Sequence, residues 1–285
     1  MAVDPGTAAI VASSLLLAKE PLNKLLGPSL DYFGKELESF AKKRAENIGR
    51  IFNKAIDKLG PKIDEPGQVN PKLLKGLILD GSFCDDELTA EYYGGILASS
   101  RTGVNRDDRG AAYLEQVSRL STYQVRTHFI IYTVIKKLFQ DTRHVKPGED
   151  RIAMQIYIPH SDYNRAMAFD DNDEKGDLIG LCMDHSFTGL NASDLALFLY
   201  NGPPDYLSQN FPGLIFPKSG FIVQPTPAGL YLYLWATGHG HIPSEHFLTA
   251  DIAIQVPKDI KMPTNAFSLK EEHQRQHNKS QQSKP

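Results

Sequence analysis

Apolar residues recur at helical spacing through the first half of the chain. Between residues 29 and 59, Leu30, Phe33, Leu37, Phe40, Ile48, Ile51, Ala55 and Leu59 fall at steps of three and four, with Arg44 the one polar member, so they share one face of a helix. Ser29 supplies a cap and Gly60–Pro61 a stop. Residues 5–26 read as an earlier helix, opened at Pro5 and closed by Gly27–Pro28. After a linker over 61–69, Asn70–Pro71 open a short helix at 71–79. Another helix is expected over 85–100, with Leu88, Tyr92, Ile96 and Leu97 facing inward. Gly94–Gly95 in its middle costs about 1 kcal/mol per glycine relative to alanine, which implies close approach by a neighbouring helix. Helices follow at 108–120 and 122–140, the second burying Val125, Phe129, Tyr132 and Ile135–Leu138.

The pattern changes near residue 145. Pro147–Gly148 and two acids mark a boundary, after which Ile152, Met154, Ile156 and Ile158 alternate as in a strand. The stretch 169–177 is an acidic loop, and 177–183 is a short apolar element, helix or strand. Residues 191–200 read as a helix capped by Asn191 or Ser193. A strand, a turn around Pro225–Pro227 and the apolar run from Leu230 to Trp235 then make either a hairpin or a strand-to-helix step. The polar end, 265–285, has no apolar stripe and is expected to be disordered. The expected fold is α+β and mainly helical: a helical part over 1–144 against a smaller mixed part over 145–264, the latter with a winged-helix-like C-terminal hairpin.

Charge and composition narrow the partners. A net charge of −3 gives no global basic field, which argues against nucleic acid. The winged-helix candidate 191–202 contains no lysine or arginine, which argues against major-groove reading. The two cysteines, Cys84 and Cys182, form no metal-finger spacing and read as reduced core residues, which fits the cytoplasm. The run AAIVASSLLLA near the start lacks a preceding basic segment and is too short to span a bilayer, so it reads as a buried or membrane-surface helix. Lys42, Lys43, Arg50 and Lys54 make a basic face on the long helix, either solvated or turned toward a membrane or partner.

No catalytic signature appears: the GxSxG, Walker and Rossmann patterns are absent, and no cofactor is expected. His239, His241 and His246, with Glu245 beside them, are the metal candidates, although they lack the HExxH helical geometry. The acids at 170–177 miss the EF-hand spacing. Asp85, Asp86 and Glu87 sit at a helix start, where negative charge is favourable. Glu91 has Arg101 or Arg109 as ion-pair candidates. Asp107, Asp108, Arg109, Arg119 and Arg126 are the candidate ligand or partner set; Arg126, with His128 nearby among apolar residues, either orders the packing or serves an acidic or phosphorylated ligand.

Three stretches carry a resemblance: 21–60, with PLNKLLGPSLDYFGKEL and KRAENIGRIFNKAIDKLG; 71–100, PKLLKGLILDGSFCDDELTAEYYGGILASS; and 220–238, GFIVQPTPAGLYLYLWATG, with its Thr-Pro-x-Gly step. In this order they are similar to the abortive-infection alpha-like proteins of bacteria. The resemblance implies a role in defence against phage and no defined active site. It leads to the expectation of a non-enzymatic, cytoplasmic defence protein that binds a phage component, a partner protein or the membrane surface. The alternatives are a membrane-active effector using the N-terminal helices and a metal-dependent enzyme at 239–246.

Overall fold

In the computed structural model the chain is described over residues 30–104, 106–140, 147, 150–169, 176–252 and 254–282, with side chains from Lys42 to Asn278. The helix expected over 5–26 and the acidic residues 170–175 lie outside these. The chain separates into the units Met1–Glu46 and Asn47–Pro285.

Among the described residues, ten α-helices accompany a small antiparallel sheet, an α+β fold that is mainly helical. The first helices are α1 (Leu30–Leu59), α2 (Pro71–Gly81), α3 (Glu87–Ser99), α4 (Arg109–Ser118) and α5 (Thr122–Phe139). Their starts follow the expected capping chemistry. The Asn70 side chain accepts from the Lys72 amide, Asp86 from Thr89, and Ser121 with Gln124 closes a capping box on α5. The linker is more ordered than expected: a 3-10 turn spans Gly60–Asp64, and Gln68 pairs with Thr102.

The glycine pair of α3 is explained by two close neighbours. A Cβ on Gly94 would lie 2.7 Å from Lys54 Cβ of α1. On Gly95 it would lie 1.7 Å from the carbonyl oxygen of Ala236. Ala236 ends a later helix, α9 (Pro227–Ala236), so α3 is held between α1 and α9.

The second half holds β1 (Ile156–Pro159), α6 (His160–Ala166), α7 (Gly176–Ala192), β2 (Ala196–Gly202), α8 (Pro204–Asn210), β3 (Gly220–Pro225), α9, β4 (Phe267–Ser268) and α10 (Leu269–Gln282). The strands run in the order β2–β3–β1–β4, all antiparallel, with Ile156 opposite Val223 and Tyr157 opposite Phe267. Both faces of the sheet are covered. Ile156, Ile158 and Val223 enter the main cluster, while Tyr157 and Ile222 enter a second cluster with Leu207, Leu214, Phe216 and Leu269.

Five expectations are corrected. Residues 196–200 belong to strand β2 rather than a helix. α7 ends at Ala192, Asp194 takes a left-handed turn (φ 53°), and the uncharged apolar run pairs with β3. The candidate recognition helix at 191–202 is therefore the end of α7 followed by β2. Of the two alternatives at Pro225–Pro227, the strand-to-helix step is the one present: β3 leads directly into α9, and the winged-helix-like hairpin does not form. The strand signature begins too early: Ile152 is 74% exposed in a 3-10 turn, and the strand starts at Ile156. The C-terminal stretch expected to be disordered forms β4 and α10 as far as Gln282, anchored by buried Leu269. Finally, the core does not divide at 144/145: one cluster runs from Ile51 to Ile260 and joins α3 and α5 to α9.

Candidate functional site

Asp107 and Arg109 form a two-pronged pair at 2.8 and 2.9 Å, and Arg109 also lies over the Trp235 ring, which stacks on Tyr113. Asp108 pairs with Lys72, and Arg119 with Glu115 one helical turn away. Arg126 donates to the Ala166 carbonyl and to Asp259. Each member of the expected set thus has its own neighbour, and Arg126 links α5 to Ala166 and Asp259. Glu91 pairs with Lys54 and Lys58 rather than an arginine. Arg101 instead donates to the carbonyls of Lys62, Ile63 and Glu65.

The expected basic face is only partly a face. Lys54 bridges Glu87 and Glu91, and Arg50 donates to Asn47 and the Cys84 carbonyl, so both turn toward α3. Lys42 and Lys43 belong to the unit Met1–Glu46. No helix among the described residues is long and apolar enough to cross a membrane.

His239 and His241 stack at 6.3 Å between ring centres, and burial lowers the pKa of both. His246 lies in the 3-10 turn Ser244–His246. Among the described residues, no three His, Cys, Asp or Glu side chains are grouped to hold a metal ion.

The Thr-Pro-x-Gly step has an architectural role. Thr226 caps α9 by accepting from the Gly229 amide, and Pro227 occupies the first turn, where no amide donor is needed. Gly229 is required because a Cβ there would lie 2.0 Å from the Tyr132 hydroxyl and 2.1 Å from the Leu195 carbonyl. Tyr132 of α5 donates to Leu195 O at 2.8 Å and accepts from Thr226 N at 3.0 Å, tying α5 to both strand ends. Beside it, fully buried His128 contacts the Tyr92 hydroxyl at 2.7 Å and Gly229 O at 3.1 Å. A carbonyl only accepts, so Nε2 carries the proton and Nδ1 accepts from Tyr92.

Open binding space lies at the surface. A groove of about 510 Å³ sits where the end of α2, the start of α3 and the α4–α5 turn meet. Its floor is Cys84, Tyr93, Val117 and Leu120; its rim carries Asp80, Asp85 and Asp86. Burial pushes the Cys84 thiol up to about 11, which keeps it protonated and poorly nucleophilic. Burial, reinforced by the Asp80 carboxylate, also raises the Tyr93 phenol. Asp86 is committed to capping α3, and Asp85 accepts from Asn47 at 3.2 Å. Phe83 lines the groove while remaining 60% exposed, and Leu79 and Ile78 on α2 are 52% and 45% exposed. The sequence reading missed this surface. Its signal was the apolar excess of LLKGLILDGSF, more than one helix face can bury. The chain matches no protein-family model, no curated protein and no solved structure.

Proposed function

We propose that this chain is a non-catalytic component of bacterial phage defence that acts in the cytoplasm by binding a protein partner at the acid-rimmed groove of α2–α4. The partner is encoded beside it or by the phage. The defence setting rests on the resemblance over 21–60, 71–100 and 220–238. The mode of action rests on one observation: Phe83, 60% exposed, lines an apolar-floored groove edged by three aspartates, and α2, which ends at this groove, also exposes Leu79 and Ile78. Exposed large apolar side chains beside a groove with a polar rim are characteristic of an interaction surface. The charge selects a partner segment that presents an aromatic or aliphatic anchor flanked by lysine or arginine. The partner-binding reading also agrees with the internal pairing of Asp107, Asp108, Arg109, Arg119 and Arg126.

The test is a phage challenge of bacterial cells carrying the gene with its genomic neighbours. The variants are Leu79→Ser with Phe83→Ser, and Asp80→Lys. Soluble protein level and thermal melting should stay near wild type, because these side chains are exposed, while protection falls at least tenfold in plaque counts. Undiminished protection by well-folded variants would reject the groove. Turnover of a nucleotide or nucleic acid by the purified protein would reject the non-catalytic reading.

A further inference from the structure

A second groove, of about 610 Å³, lies between the last turns of α5 and the segment 248–263. This volume is typical of small-ligand sites, about 300–1,000 Å³. One wall is α5, with Val134, Lys137 and Gln140; the other includes Leu248, Ile252, Val256 and Met262. The facing wall is fastened by Lys136. Its ammonium, on a residue only 7% exposed, donates to the carbonyls of Phe247, Leu248 and Ala250 at 2.7–2.8 Å and lies 5.8 Å from the centre of the Phe247 ring.

The charge of this groove is unbalanced. Among the described residues, two ammonium groups and one carboxylate, that of Asp251, line it. Lys136 donates only to neutral carbonyls, with the Asp251 carboxylate near enough to favour its charge, and no ion pair of Lys137 is found among the described residues. Lysines in a final helical turn ordinarily offset the negative end of the helix. Here they do so beside apolar walls, where a charge is screened less than at an open surface. Lys136 has donated all three hydrogens and offers charge without a free donor. Lys137 and the Gln140 amide remain as donors. A group with two negative charges would overshoot the local balance and face the carbonyls of 247–250.

We propose that this groove binds an amphipathic monoanion, with its carboxylate on Lys137 and Gln140 and its hydrocarbon body along Leu248, Ile252, Val256 and Met262. The site is separate from the α2–α4 groove, so its fate does not depend on the partner-binding reading.

The full-length protein would be titrated by calorimetry with dodecanoate below its micelle concentration, and in parallel with dodecanol and dodecyl phosphate. Expected is saturable 1:1 binding of dodecanoate, at least tenfold tighter than either analogue. Lys137→Glu and Val256→Asp, both at exposed positions, should each weaken it at least tenfold with an unchanged melting temperature. Absence of saturable binding would overturn the proposal. So would equal binding of dodecanol or tighter binding of dodecyl phosphate, or binding by both variants as tight as wild type.

Discussion

His128 shows how one buried polar side chain couples stability to pH. Burial holds its imidazole down to about 3, the Gly229 carbonyl opposing this only in part, against an ordinary value of 6.5. Between these values the unfolded chain binds a proton that the folded chain does not, so stability is lost as pH falls below 6.5. The slope from this one group is about 1.4 kcal/mol per pH unit. Other groups act in the same direction. Burial alone would raise the Asp162 carboxyl, but hydrogen bonds from Asn265 and Thr264 outweigh it and hold it low, and Lys54 and Lys58 do the same for Glu91. These contributions are common to wild type and a His128 variant, so their difference isolates the imidazole. His128→Gln should be the less stable protein at pH 7 by urea unfolding, and its deficit should shrink steadily between pH 6.5 and 4.5. A deficit independent of pH would mean that His128 is not held neutral. The sequence already pointed to this position, because a histidine between Thr127 and Phe129 in an otherwise apolar helix must find internal partners. Which partners it finds depends on residues 36 and 101 positions away, Tyr92 and Gly229, and no local pattern carries that.

At the scale of elements, local pattern served where apolar residues recur at helical spacing behind a capping residue, and failed where one run serves two cores. α2, α3 and α5 follow their spacing and their caps closely, and α1 ends at Leu59 as its stop signal implies. The run LALFLY could not be assigned by period, because β2 serves two cores. Phe198 stacks on Phe187 in the main cluster, whereas Tyr200 packs against Phe211 in the second. A bulge between them makes that change of face, leaving Leu199 exposed, and it erases the strict alternation that marks a strand. The polar C-terminal stretch misled for the opposite reason. Its helix is held by few contacts: Leu269 at 5% exposure, Phe267 against Tyr157 at 4.8 Å, and Gln276 clasping the Ile215 backbone. Composition predicts that Leu269→Ala is silent; the structure predicts a loss of about 2–4 kcal/mol from the second cluster. Chemical unfolding with a far-ultraviolet readout decides between them, and a loss below about 0.5 kcal/mol would restore the disordered reading.

At the scale of the molecule, the helices of the first half are not a finished domain. The inner side of α3 is closed by α9, with Gly95 against the Ala236 carbonyl, and α5 is buried along most of its length by α3, α7 and α9. A chain ending at residue 144 would leave Tyr92, Phe129, Tyr132 and Ile135 without the cover of Leu230, Tyr233 and Leu234. His128 and Thr133 would also lose their partners Gly229 and Tyr233. Exposed apolar surface and unpaired buried polar groups both disfavour such a fragment. The fragment 1–144, made alone, should therefore lack a cooperative thermal transition and bind a hydrophobic dye, while retaining part of its helical signal. Mixing it with a separately made 145–285 fragment should restore a cooperative melt, because the missing cover is supplied in trans. A sharp, dye-free melt of 1–144 by itself would show that residue 145 divides two independent cores. In that case the cluster joining α3, α5 and α9 would be an interface between domains rather than the interior of one.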